Sequence, residues 1–144
     1  MDPVSSDPPR LIYSLTSGSS DHHNAEETVF FPEVEKITGE RGIMDQNVEQ
    51  HHAFLPGMDA WTQYTSDCMK KEGGQKFDAT HFTKLIDAFA PKLVVHLAEE
   101  IQTLLALDKY DIAAVKKAWL KFDKHMQGTA DVVSFNFRFI LSDC

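Results

Sequence analysis

Apolar residues recur along this chain at intervals of three and four, the period of one face of an α-helix. The clearest stripe is Phe82, Leu85, Phe89, Leu93, Leu97, Ile101 and Leu104. It predicts a bundle helix that Asp78 can cap and that runs to about Leu107, with a local bend at Pro91. An earlier stripe of Met44, Val48, Leu55 and Met58 predicts a helix over about Asp45 to Asp67. Ahead of it, a pattern capped near Asp21 runs to Thr38 and stops at Gly39, and Pro32 inside it predicts a kink at or just before that residue. A fourth helix opens at Asp111, with Ile112, Val115, Trp119, Phe122 and Met126 on one face. Residues 128–144 alternate weakly (Val133, Phe135, Phe137, Phe139), the pattern of a short extended tail. Residues 1–20 are rich in Ser, Pro and Gly and read as a disordered leader. The expected fold is therefore all-α, an up-and-down helical bundle over residues 21–127.

Composition narrows the function classes. At 144 residues the chain suits one domain, and hydrophobic and charged fractions of 42% and 25% are those of a globular protein. A net charge of -8 argues against nucleic-acid binding, which draws on clustered Lys and Arg. No apolar run reaches the roughly 20 residues of a membrane helix, and no signal peptide is legible, so a cytoplasmic location is expected. Cys68 and Cys144 cannot build a disulfide framework.

Seven histidines carry the candidate chemistry. Three are followed four residues later by glutamate: His22–Glu26, His23–Glu27 and His96–Glu100. Chance placement would give about 0.4 such pairs, although the first two are not independent because they arise from adjacent doublets. Positions i and i+4 share a helix face, so an imidazole and a carboxylate so spaced can reach one metal centre. His96 and Glu100 continue the inward face of the third helix, and His51 falls in the inward row of the second between Val48 and Leu55. Such groups are costly in a core unless paired or coordinating a metal. Taken singly, each has an ordinary explanation. A His/Glu pair is most often a solvated ion-pair face, and a lone inward His is most often bonded to a carbonyl. Convergence of three such elements on three helices favours a metal. His81 and His125 match no ligand spacing.

The stretches HHNAEETVFFPEVEKITGERGIMDQNVEQHHAFLPG and FDATHFTKLIDAFAPKLVVHLAEEIQTLLAL resemble the hemerythrin-like (HHE cation-binding) domain, in the form common in fungal proteins. The resemblance rests on HxxxEExxxFP from His22 to Pro32, on EQHHAF around His51, and on HLAEE at His96 to Glu100. It implies a four-helix bundle holding a two-iron centre, with histidines as terminal ligands and carboxylates as bridges. Carried over, the ligands are His22, Glu26, His51, His96 and Glu100. The pair His23 and Glu27 is the alternative on the first helix, since spacing does not separate them. Such a site binds dioxygen, senses iron or oxygen, or stores metal, so the implied partners are a metal ion and dioxygen. The cofactor expected is iron, with a single metal or another divalent ion as alternatives, because mixed imidazole and carboxylate donors suit iron, manganese or zinc. The Glu-xx-His motif of ferritin-like di-iron proteins is not found in these pairs. Family members also carry a His-bearing helix before the first HxxxE, and no His precedes His22, so the bundle is expected to lack its first helix. No nucleophile or second cofactor motif is readable. The expectation is thus a non-enzymatic metal-binding protein, and the alternative is a structural or interaction module with a vestigial metal site.

Overall fold

The computed structural model describes residues 19–70 and 73–129. The expected leader (residues 1–18) and extended tail (residues 130–144) lie outside the described residues. Four helical segments follow one another, and there is no strand among the described residues. Helix α1 covers residues 19–38 and is not uniform: it is α-helical to residue 25, π-helical over Glu26–Phe30 and α-helical again over Phe31–Thr38. Helix α2 is Asp45–Met69, and α3 is Ala79–Leu105, extended by a 3-10 turn at Ala106–Lys109. Helix α4 is Ile112–Thr129.

The ends of these helices have local causes. Gly39 adopts φ 72 and donates its N–H to the Glu35 carbonyl at 2.9 Å, a left-handed cap that glycine adopts without a Cβ penalty. Asp78 accepts from the backbone N–H of Thr80 at 2.8 Å and of His81 at 3.1 Å, so it caps α3. The Tyr64 hydroxyl accepts the Asp78 N–H at 2.7 Å and ties that cap to α2. Asp78→Ala is expected to cost about 1 kcal/mol, read as a fall in Tm of about 4 °C, without altering metal binding. An unchanged Tm would show that Tyr64 alone holds this end of α3.

The kink expected at Pro32 takes the form of the π turn immediately before it, where the Phe31 N–H reaches back to the Glu26 carbonyl. Proline has no N–H to donate and crowds the carbonyl four residues back, and the wider turn relieves both. At Pro91, α3 continues unbroken through the proline.

Two apolar clusters hold the helices together. One joins α1 to α4 through Phe30, Phe31, Val34, Val115, Ala118 and Phe122, with Met44 and Leu107 beneath. The other joins α2 to α3 through Phe54, Met58, Trp61 and Phe89. Gly57 permits the close crossing of α2 and α3, because a Cβ there would lie 2.8 Å from the Phe89 Cβ. Two stripe expectations are corrected. On α2 the apolar residue buried at this turn is Phe54, with Leu55 at its flank. On α3 the inward arc runs through Phe89, His96 and Glu100, which leaves Leu97 exposed. A row spaced strictly by four drifts around a helix of 3.6 residues per turn, and Leu97 has drifted out of the core. With Val94 and Leu105, it forms an apolar face on α3 open to solvent.

Candidate metal centre

Between the two apolar clusters lies a layer of buried polar side chains: His23, Glu26, Asn47, His51, His96 and Glu100. Helix α1 supplies His23 and Glu26, α2 supplies His51, and α3 supplies His96 and Glu100. The rings of His23 and His96 both meet the His51 ring at a centroid distance of 4.6 Å, and they lie 5.4 Å from each other. Phe54 packs against all three, and Phe31 stacks on His51. Two groups have ligand atoms all within 4.8 Å of one another: His23, His51 and His96, and Glu26, His51 and Glu100. His51 belongs to both.

The sequence left two registers open on α1, and the structure places all four side chains. His23 and Glu26 are buried, one turn apart on the inward face. His22 lies at the rim, about a third exposed, with Nε2 2.9 Å from Glu26 Oε1 and its ring against Phe122 of α4. Glu27 is one-quarter exposed and reaches across to His51 Nδ1 at 2.8 Å. His81 and His125 are both exposed, away from this layer.

Each buried imidazole is anchored on its outer nitrogen. His23 Nδ1 donates to the Ser19 carbonyl at 2.7 Å, His51 Nδ1 to the Glu27 carboxylate, and His96 Nδ1 to Gln50 Oε1 at 3.1 Å. An Nδ1–H so engaged leaves Nε2 of the same ring as the lone-pair nitrogen, the arrangement that orients metal-bound histidines. His51 Nε2, His96 Nε2 and Glu26 Oε2 are buried without a hydrogen-bond partner. Unsatisfied buried acceptors are costly, and a cation is the partner their chemistry fits. Of the outer anchors, only Glu27 was singled out from the sequence, and there as a candidate ligand. Gln50 stands beside His51 in EQHHAF, whereas the Ser19 carbonyl carries no sequence signal. Asn47, with both amide atoms buried and unpartnered, could have been found by extending the His51, Phe54, Met58 row back one turn.

Burial sets the protonation states. It pushes His23 down to about 3 from 6.5, aided by His51 and His22, and pushes His96 down to about 4 for the same reasons. Burial, with the Glu26 carboxylate nearby, pushes Glu100 up from 4.5 to about 8. Near neutrality His23 and His96 are therefore uncharged and able to ligate, while Glu100 carries a proton that a bound cation would displace. In metal-free protein these shifts oppose each other. Below about pH 6.5 the unfolded chain protonates histidines that the fold keeps neutral, so stability falls toward acid. From about pH 4.5 to 8 the fold retains a proton on Glu100 that the unfolded chain has lost, so this group lowers stability as pH rises. Two histidines outweigh one glutamate up to pH 6.5, so thermal melts of chelated protein are expected to peak near pH 6.5. A Tm still rising through pH 8 would contradict this.

A helical bundle with an inward layer of imidazoles and carboxylates from three helices has the form of a cation-binding bundle domain. The chain belongs to the hemerythrin HHE cation-binding domain family, whose model matches residues 9–107. It is 36% identical over 121 residues to the dimeric xanthone biosynthesis cluster protein R11 of Cryptosporiopsis sp. (strain 8999). That match covers 84% of this chain and 44% of the relative, so the chain spans less than half of that protein's length. No solved structure matches the chain significantly. No helix among the described residues is long and apolar enough to cross a membrane.

Proposed function

We propose that this domain is a non-enzymatic binding module for non-haem iron, held as one ion or as a di-iron pair. His23, His51 and His96 are the imidazole ligands and Glu26 and Glu100 the carboxylate ligands, with His22 beside Glu26 at the rim. The observation that carries this reading is the convergence of three Nδ1-anchored imidazoles from three helices, two of which, His51 and His96, leave Nε2 buried and unpartnered. The nitrogen and carboxylate donor set suits iron, manganese or zinc over calcium or magnesium. The two inward carboxylates, Glu26 and Glu100, are the basis for including a di-iron pair, since a carboxylate can bridge two ions whereas the one free nitrogen of His51 serves a single ion. Bound iron would supply Lewis acidity and one-electron chemistry toward dioxygen. The role we infer is binding or sensing of dioxygen or of iron. The chain's own part is to hold the imidazoles in place, to pack Phe31 and Phe54 against them, and to release the Glu100 proton as the cation enters.

The test is purification from iron-replete cells, followed by metal analysis and visible absorption, for wild type and His96→Ala. Iron in the wild type that the variant loses is the expected result. Substoichiometric metal unchanged by His96→Ala would overturn the reading. The exposed apolar face of Val94, Leu97 and Leu105 favours a second reading, an interaction module whose metal site is vestigial. A melting temperature indifferent to iron, zinc and chelator would support that reading instead.

A further inference from the structure

The imidazole itself does not decide which nitrogen of His96 carries its proton. Its Nδ1 faces Gln50 Oε1 at 3.1 Å, and its Nε2 lies 3.8 Å from Glu100 Oε2, beyond hydrogen-bond reach, so the choice falls to the group at Nδ1. Were the proton on Nε2, that nitrogen could not ligate. Gln50 alone cannot prevent this, because a glutamine amide can turn either its oxygen or its NH2 toward the ring.

The amide is held in one orientation from outside. Gln50 Nε2 donates to Glu99 Oε2, and Gln46 Nε2 donates to the same oxygen at 2.7 Å. Glu99 is exposed, makes no contact with the buried layer in this network except through Gln50, and accepts only. A carboxylate at this point draws the NH2 of Gln50 toward itself and turns its carbonyl oxygen inward. That oxygen can only accept, so the proton of His96 must sit on Nδ1.

We propose that Glu99 is a positioning residue that, through Gln50, fixes His96 in the tautomer whose Nε2 faces the core as a free ligand. The consequence for metal affinity rests on the iron reading above, but the tautomer can be read in metal-free protein, so the two stand or fall separately. An acidic surface residue thereby imposes a hydrogen-bond polarity on a fully buried imidazole two links away. His51 needs no such relay, since its Nδ1 meets the Glu27 carboxylate directly.

The experiment compares wild type, Glu99→Gln and the double variant Glu99→Gln/Gln50→Glu as full chains. In Glu99→Gln a second amide replaces the carboxylate, and the row can run in either direction. In the double variant the carboxylate returns one link nearer the ring, and the new amide at position 99 can donate to it. The first readout is 15N NMR of histidine-labelled, chelated protein near neutral pH, with the His96 ring assigned by difference from His96→Gln. Wild type is expected to show one His96 tautomer, protonated on Nδ1. Glu99→Gln is expected to show a mixture, and the double variant to return to the single form. The second readout is Fe2+ titration, where Glu99→Gln is expected to weaken binding by about tenfold and the double variant to restore it. A Glu99→Gln protein that keeps the pure Nδ1–H form would overturn the proposal. So would a double variant that fails to regain it, because polarity would then not be the cause. If wild type binds no Fe2+ while the tautomers shift as stated, the relay stands and the iron reading falls.

Discussion

Replacing His51 by alanine is expected to lower bound iron by at least about tenfold, the scale at which even the outer partners of metal ligands act. No other single substitution should do as much, because His51 is common to both ligand groups and is fully buried at their junction. Its loss also strands its neighbours. Glu27 would lose the imidazole that donates to it at 2.8 Å. Phe31 and Phe54 would face a cavity where the ring had been. The metal-free variant should therefore be less stable than metal-free wild type by about 2–5 kcal/mol, the usual range for truncating a large core side chain. His51→Gln, which keeps volume and polarity, separates the two effects: it should recover much of the stability and none of the iron. Metal analysis and thermal melts on the same samples make the comparison. Iron retained at wild-type stoichiometry in both variants would remove His51 from the site.

Chelation is the second large effect. Binding to the folded state alone adds about 4 kcal/mol when free metal exceeds Kd a thousandfold. For a domain of this size that amounts to a difference of about 15 °C in Tm between iron-loaded and chelated protein. The buried acceptors explain why the metal-free state should be the weaker. His51 Nε2, His96 Nε2 and Glu26 Oε2 have lost water without gaining a hydrogen-bond partner, and the Glu26 carboxylate disfavours ionisation of Glu100. The iron-loaded protein should also lose the decline in stability above pH 6.5, since Glu100 then holds a cation instead of a proton. Equal melting temperatures with and without chelator would place the domain with the interaction module described above.

Much of this organisation could be read directly from the residues. Period and punctuation located the four helices, because Asp78 and Gly39 act through their own backbone neighbours and need no tertiary partner. The HxxxE at His96 and the inward row through His51 likewise followed from spacing, since a helix face is a local property. Finer features depended on other helices. Adjacent residues on a helix differ by about 100°, so both His22 and His23 fit an inward arc by period alone. Packing separates them: Phe122 of α4 covers His22 at the rim, while His23 meets the rings of His51 and His96. The glutamates separate in the same way, Glu26 turning inward and Glu27 reaching across to His51 Nδ1. Leu97 shows the converse, an apolar residue left outside because the inward arc on α3 is occupied by His96 and Glu100.

By itself, then, the sequence determined an all-α domain and the kinds of donor it would bring inward, because both depend on residue type and on period. Only the tertiary structure decided which member of each doublet faces the core, which atom of each imidazole is free, and how a surface carboxylate orients a buried ring. Those choices are made by contacts between residues far apart in the chain, such as Glu27 with His51 and Glu99 with Gln50, and helical period carries no information about them.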